Sequence, residues 1–239
     1  MNTAKRQTLL IDADDTLWEN NIYFEQAIAQ FIEHAAPSML PADEIRRRLD
    51  EEERRMLALH GYGSRTLSMA LQRTWQAVIP EGHVAPSLAD IERLALAILD
   101  LEIEILPGVA DTLVNLAGDH DLYLVTKGNL AEQQAKIDRS GIADKFLAAI
   151  VVADKTVDTY HDTVHQHRLD PAMTWMIGNS IRSDINPAIG AGLRAIFVPH
   201  PDTWHMEHEE LADPDGICVT VDRFDQIPGA INGHPFEAT

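Results

Sequence analysis

The chain opens with a short apolar run, Thr8 to Ile11, that breaks abruptly into Asp12, Asp14 and Asp15, the pattern of a buried strand entering a polar loop. From Ile22 to about Ile105 the apolar positions recur at helical spacing. Phe24, Ile28, Phe31 and Ala35 share one face, and Ile45, Leu49, Met56 and Leu59 a second. Leu67, Leu71, Trp75 and Val78 make a third stripe, and Ile91, Leu94, Ile98 and Leu101 a fourth. Pro37, Pro41, Gly61, Gly63, Pro80, Gly82 and Pro86 punctuate them, which predicts four helices in succession, a bundle. From Leu106 the rhythm alternates. Helices are expected over 108–116, 131–139, 157–167 and 185–191, and strands over 121–125, 147–152, 174–177 and 194–198. A further strand is expected over 217–221, before a proline- and glycine-containing tail. Strands separated by helices imply an α/β fold with a parallel sheet and right-handed crossovers. The first strand has no nearby partner, so it joins this later sheet, and the helical region is an insertion.

Composition narrows the class. A hydrophobic share of 45% and a charged share of 24% suit a globular chain and argue against disorder. With 19 Lys+Arg against 38 Asp+Glu the formal net charge is −19, which repels phosphate backbones and argues against a nucleic-acid-coating role. A small anionic substrate stays compatible, because a local cation can reverse the sign. One cysteine, Cys218, excludes a disulfide framework and a cysteine-rich zinc site. The three-residue run Leu9–Ile11 is too short for a signal peptide, and no apolar stretch approaches the roughly 20 residues of a membrane span. The expectation is a reduced, cytoplasmic protein with no membrane partner.

Four polar features fall where strands are expected to end, and in open parallel sheets ligands bind at the carboxyl ends of the strands. Asp12-Ala13-Asp14-Asp15-Thr16 places two carboxylates two residues apart on one loop. One can attack phosphorus as a nucleophile and the other can move a proton, and a divalent cation would relieve their repulsion. Thr126, followed by Lys127, Gly128 and Asn129, puts a hydroxyl and free N–H groups at a helix start, where phosphate oxygens can be held; the plainer reading is a helix cap with a turn glycine. Lys155 offers an ammonium to screen a carboxylate pair and orient a phosphoryl group. In Gly178 to Asp184, Asp184 can supply charge and Asn179 an amide oxygen to a Mg²⁺ ion. The intervals 155−126 and 184−155 are each 29 residues, one strand–helix–strand step, so successive strand ends bring the features to one rim.

This ordered set resembles the haloacid dehalogenase-like (HAD) hydrolase superfamily: a strand ending in Asp-x-Asp-x-Thr (Asp12 to Thr16), a strand ending in Thr (Thr126), a lysine (Lys155), and a Gly-Asp-type segment ending in Asp (Gly178 to Asp184). The resemblance covers about residues 7–200 and implies a Rossmann-like core, 1–16 with 106–239, and a helical cap domain, 17–105, that closes over the site and contributes specificity. It implies Asp12 as nucleophile, Asp14 as general acid/base, Thr126 as a phosphate ligand and Lys155 as stabiliser of an aspartyl-phosphate. Lys127, Gly128 and Asn129 would join Thr126 and Lys155 in binding substrate. Mg²⁺ would be held by Asp12, the backbone carbonyl of Asp14, Asp184 and Asn179, the last standing where many family phosphatases carry an aspartate. Family members that dehalogenate lack the second acid, since a halide leaves without a proton, so Asp14 favours phosphate esters. The expected activity is Mg²⁺-dependent hydrolysis of a small phosphorylated metabolite. A phosphotransferase or phosphomutase, a non-catalytic phosphate-binding protein and a haloacid dehalogenase are the alternatives, in that order.

Other polar groups read as structural. Arg46, Arg47, Arg48, Arg54 and Arg55 alternate with acids at helical spacing, the signature of a solvated face. Arg65, beside Gly61 and Gly63, is a better candidate for reaching an anion. His161 and His165, four apart, and the looser group His200, His205 and His208 lack an accompanying metal motif. Trp18 and Trp75 read as packing residues.

Overall fold

A computed structural model describes residues 6–80, 82 and 86–233. Lys5 and the end of the tail lie outside them. The chain divides into two compact units, Met1–Glu19 with Ile103–Thr239, and Asn20–Glu102.

The first unit is built on a six-stranded, wholly parallel sheet in the order β3-β2-β1-β4-β5-β6. The strands are β1 (Thr8–Ile11), β2 (Asp121–Lys127), β3 (Ala148–Val152), β4 (Thr174–Gly178), β5 (Arg194–Phe197) and β6 (Cys218–Thr220). Such a sheet needs both faces covered, so its central strands β1 and β4 bury apolar side chains on both faces. Leu9, Leu122, Trp175 and Ile177 face a core shared with Leu113, Leu116 and Ile231, while Leu10, Val125 and Met176 pack with Tyr160 and Leu193 on the other face. The chain winds outward from β1 through β2 to β3, then returns to the far side of β1 for β4. The reversal falls between β2, β1 and β4, the position where such sheets open a crevice at their carboxyl ends.

The division between units falls at Glu19/Asn20, not after Thr16. Leu17 and Trp18 are fully buried in the sheet's core, and Trp18 is bridged to Asp14 and to Ile105. The helices of this unit are α5 (Val109–Asp119), α6 (Leu130–Arg139), α7 (Val157–His167), α8 (Asn186–Gly190) and α9 (Ile227–Gly233). Two differ from the sequence expectation. The helix expected from Ile185 is preceded by a π-helical turn, Ile181–Ile185, and the tail forms α9 despite Pro228 and Gly229. Proline is tolerated in a helix's first turn, and Ile227 and Ile231, four apart, bury one face.

The second unit comprises α1 (Asn21–His34), α2 (Ala42–His60), α3 (Ser64–Val78) and α4 (Leu88–Leu96) around their own core, with Phe31 edge-on to Trp75. Leu59 and Leu101, expected in the apolar stripes, are exposed: Leu59 sits on the last turn of α2 and Leu101 beyond the end of its helical segment. The arginines of α2 pair along the surface as expected, Arg46 with Asp50 and Glu25, Arg48 with Glu44, and Arg55 with Glu52. Arg65 is exposed.

Glu53 interrupts the buried stripe of α2 between Leu49 and Met56, and its Oε2 is buried without a hydrogen-bond partner. Burial pushes its carboxyl from 4.5 to about 7; Arg46 opposes this, while Asp50 and Glu25 reinforce it. The folded chain therefore holds this proton to higher pH than the unfolded chain, and stability falls as pH rises from about 4.5 to about 7. Glu53→Gln is expected to match the native protein at pH 4 and to exceed its stability by about 3 kcal/mol at pH 8. Thermal unfolding across that range checks it.

Candidate active site

Asp12 immediately follows β1, and its backbone N–H donates to the Ile177 carbonyl of β4, so the first acidic loop begins at the sheet's reversal point. Asp15 turns the loop back with φ 61°, a left-handed conformation that aspartate tolerates. The Asp12 carboxylate is buried. Its Oδ1 accepts from Lys155 Nζ at 2.5 Å and its Oδ2 from the Thr16 hydroxyl at 2.8 Å. Lys155 also donates to Asp184 Oδ1 at 2.7 Å. Three sequence-predicted residues from three strand ends thus form one buried cluster, two carboxylates sharing one ammonium.

Asp184 is held from behind by the Ser180 backbone N–H, which donates to its Oδ2 at 3.0 Å. The π-helical turn folds this carboxylate back over Gly178 so closely that a Cβ there would lie 2.2 Å from Oδ2; only glycine fits at the end of β4. Asn179 is also brought in, but its side chain is engaged. Its Nδ2 donates to the Thr203 hydroxyl at 2.8 Å, its Oδ1 lies 3.2 Å from the Thr16 hydroxyl, and its backbone N–H donates to Thr16 Oγ1 at 3.1 Å.

Electrostatics set this cluster apart. Burial, aided by the Asp184 carboxylate, pushes Asp12 up to about 7, against the pull of Lys155. Burial works to lower Lys155, yet the two carboxylates outweigh it and raise it. With all three ionised the cluster carries one surplus negative charge in a buried place, and its free lone pairs are all on oxygen. That donor set fits a small, hard divalent cation, with Asp12 and Asp184 as the charged ligands.

Asp14 points elsewhere. Lys136 Nζ donates to both its oxygens, at 2.6 and 2.7 Å, Gln133 Nε2 to Oδ2 at 2.9 Å and the Trp18 indole to Oδ1 at 2.7 Å. Burial works to raise Asp14, but these donors, Lys136 foremost, outweigh it and hold the carboxyl below its usual range. Every partner is a donor, so Asp14 stands here in its ionised form. Trp18, expected to pack, packs and also orients this carboxylate. Gln133 and Lys136 lie three apart on one face of α6; both were missed from sequence, and a polar pair beside the buried Ile137 is the one signal they leave.

Thr126 is buried near the end of β2. Gly128 has φ 139° and lets Gln133 pass within 3.0 Å of where a Cβ would stand. Asn129 is spent as a helix cap, its side chain accepting from the N–H groups of Ala131 and Glu132 at 3.0 and 3.2 Å. The Lys127 ammonium is held by Glu207 and by the Ser183 hydroxyl, the latter at 2.7 Å. His161 and His165 are exposed on α7. His200 is nearly buried, with Nε2 3.3 Å from Glu19 Oε2, and Asp15, Glu19 and His200 bring one ligand atom each within 4.8 Å of one another, the one such group of histidines and acids among the described residues. Asp15 is therefore grouped with these residues.

The parallel sheet thus brings two carboxylates and a lysine together at its reversal point, where such sheets bind ligands. Residues 7–192 match the model of the haloacid dehalogenase-like hydrolases, and the chain belongs to that family. It is similar to pyrimidine 5'-nucleotidase YjjG of Escherichia coli, 26% identical over 121 residues; the match spans 48% of this chain and about half (50%) of the relative's length. Among solved structures it is similar to a haloacid dehalogenase-like family hydrolase from Xanthomonas campestris, with a TM-score of 0.85 and 27% identity over 98% of this chain and 93% of that one. The HAD-hydrolase YfnB of Bacillus subtilis, solved bound to magnesium, shares the fold with a TM-score of 0.65 and 17% identity over 95% and 99% of the two chains. Among the described residues no helix is long and apolar enough to cross a membrane.

Proposed function

We propose that this hydrolase is a Mg²⁺-dependent phosphatase that cleaves small phosphate monoesters through an aspartyl-phosphate on Asp12. The observation that carries this is the buried Asp12–Lys155–Asp184 cluster, with a second acid, Asp14, on the same loop. Mg²⁺, when bound, would neutralise the surplus charge and draw in phosphoryl oxygens, held by Asp12, Asp184 and the Asp14 carbonyl. Asn179 Oδ1, beside the Thr16 hydroxyl, would add a neutral oxygen to that shell.

An Asp12 oxygen attacks phosphorus and the bond to the ester oxygen breaks. Lys155 keeps the Asp12 carboxylate aimed and screens the incoming dianion, and Thr126 bonds a phosphoryl oxygen. The leaving alkoxide takes a proton from Asp14. Water then attacks the same phosphorus, gives a proton to Asp14, and the bond between phosphorus and Asp12 breaks to release phosphate. The second half needs Asp14 ionised, the form in which Lys136 holds it. The first half needs the protonated acid, so the Asp14 carboxyl must part from Lys136 before it donates.

A haloacid dehalogenase would need no such proton donor, and Asp14 weighs against that reading. The test is release of inorganic phosphate from an aryl phosphate and from pyrimidine nucleoside monophosphates, with Mg²⁺ and with a chelator, beside halide release from 2-chloropropionate. Phosphate release that the chelator abolishes is the expected result. Halide release insensitive to chelator, with no phosphate release, would overturn it.

A further inference from the structure

Among the described residues of the first unit, a further buried charge cluster forms around Glu207. Glu207 lies in a short 3-10 turn, His205–Glu207, beyond the residues matched by the family model, and its carboxylate is buried. Oε1 accepts from the Lys127 ammonium at the end of β2. Oε2 accepts from the hydroxyls of Ser180 and Ser183, both at 2.5 Å. The Ser180 hydroxyl in turn accepts from the Ser183 backbone N–H at 2.9 Å, and that of Ser183 accepts from Lys127. Each hydroxyl has one proton to give, and each gives it to Glu207. Burial works to raise Glu207, but Lys127 and the serines outweigh it and keep the carboxyl low.

Ser180 is the same residue whose backbone N–H holds Asp184 Oδ2 and whose carbonyl accepts the Asp184 N–H at 2.9 Å. Glu207 is thus one residue removed from the cation-binding carboxylate. The segment carrying it is fixed to the same loop and to the start of α8: Arg182 donates to the Met206 carbonyl at 2.8 Å, and Asn186 bonds the Glu210 carbonyl and the Ala212 N–H, each at 2.8 Å.

We propose that Glu207 is a positioning residue of the active site, whose carboxylate ties Lys127 and the serines of the 178–184 loop together and so fixes Asp184 for Mg²⁺. The inference rests on the reading of Asp184 as a cation ligand given above. It also reassigns Lys127, expected from sequence to touch substrate, to the counter-charge of Glu207.

The test uses the full chain with Glu207→Ala, Glu207→Gln, Lys127→Met and the double variant Lys127→Met/Glu207→Gln. Mg²⁺ binding is titrated by calorimetry without substrate, and KM and kcat are measured separately on an aryl phosphate. Glu207→Ala is expected to weaken Mg²⁺ binding by about tenfold to a hundredfold, with KM at saturating Mg²⁺ changed less. Glu207→Gln, which keeps an acceptor, is expected to lose less. Lys127→Met leaves a buried carboxylate without its cation, and the double variant should recover most of that loss. Should Glu207→Ala fail to fold, the comparison of Lys127→Met with the double variant decides. Unchanged Mg²⁺ affinity in soluble variants that merely melt earlier would overturn the proposal. So would a raised KM for Lys127→Met that the double variant does not relieve, or a native protein that takes up no Mg²⁺. A native protein that binds Mg²⁺ but hydrolyses no ester would instead overturn the phosphatase reading, while calorimetry would still judge Glu207.

Discussion

Asp12→Asn is expected to abolish phosphate release while leaving the fold intact. The amide that replaces the carboxylate is a poor nucleophile, and removing a covalent nucleophile costs on the order of 10⁴-fold or more in kcat. The substitution is nearly isosteric, and the local structure tolerates it. The amide oxygen can accept from Lys155 and the amide NH2 can donate to Thr16 Oγ1, whose own proton then goes to Asn179 Oδ1, while Lys155 keeps Asp184 as a partner at 2.7 Å. The buried cluster even loses its surplus charge, since one carboxylate then faces one ammonium. Activity and stability are therefore expected to separate: turnover of an aryl phosphate falls to background, while the melting temperature without Mg²⁺ does not drop. A variant that retains native turnover would remove Asp12 from the chemistry. A variant that loses turnover only because it unfolds would show in the melting curve. Asp14→Asn is a companion with a smaller effect, about 10²–10⁴-fold, concentrated on alkyl esters whose leaving oxygen needs the proton.

The parts of this site that the sequence makes legible are those that sit on strand ends. β1 stops at Ile11 because an apolar run meets aspartates, and a parallel sheet with 29-residue steps then brings Lys155 and Asp184 to Asp12 without knowledge of any contact. What stays hidden is held by residues that carry no periodic signal. Glu207 lies in an irregular segment, and its partner Lys127 is 80 residues away. Lys136 looks like one more helix lysine until α6 is placed against the first loop. The π-helical turn at Ile181–Ile185 is likewise unreadable, because it goes with the tight seat of Asp184 over Gly178, a tertiary fact. In the helical unit the stripes gave the helices but not their ends: Leu59 fits the spacing of α2 yet lies on its final turn, and Glu53 breaks the apolar pattern while being buried within it.

Removing Lys155 is expected to have the opposite signature to Asp12→Asn, a loss of stability that Mg²⁺ reverses in part. The ammonium is almost fully enclosed, and it bridges Asp12 and Asp184. Lys155→Met keeps the aliphatic volume and deletes the charge, leaving two buried carboxylates in mutual repulsion. Breaking a buried ion pair from one side costs about 3–5 kcal/mol. The carboxylates can escape part of that cost by taking up a proton. Asp12, already pushed to about 7, then rises further, so the variant's stability falls steeply as pH increases through neutrality. A divalent cation that binds the folded chain at these oxygens restores stability in proportion to the logarithm of its concentration. Melting curves of Lys155→Met at pH 6 and pH 8, each with chelator and with a Mg²⁺ series, read out both effects. The expected pattern is a deficit that is larger at pH 8 and shrinks as Mg²⁺ is added, with turnover still low because the ammonium that aims Asp12 and screens the dianion beside it is gone. A deficit indifferent to Mg²⁺ would mean that the cation does not bind at the Asp12 and Asp184 carboxylates, and it would remove the metal from the proposed site.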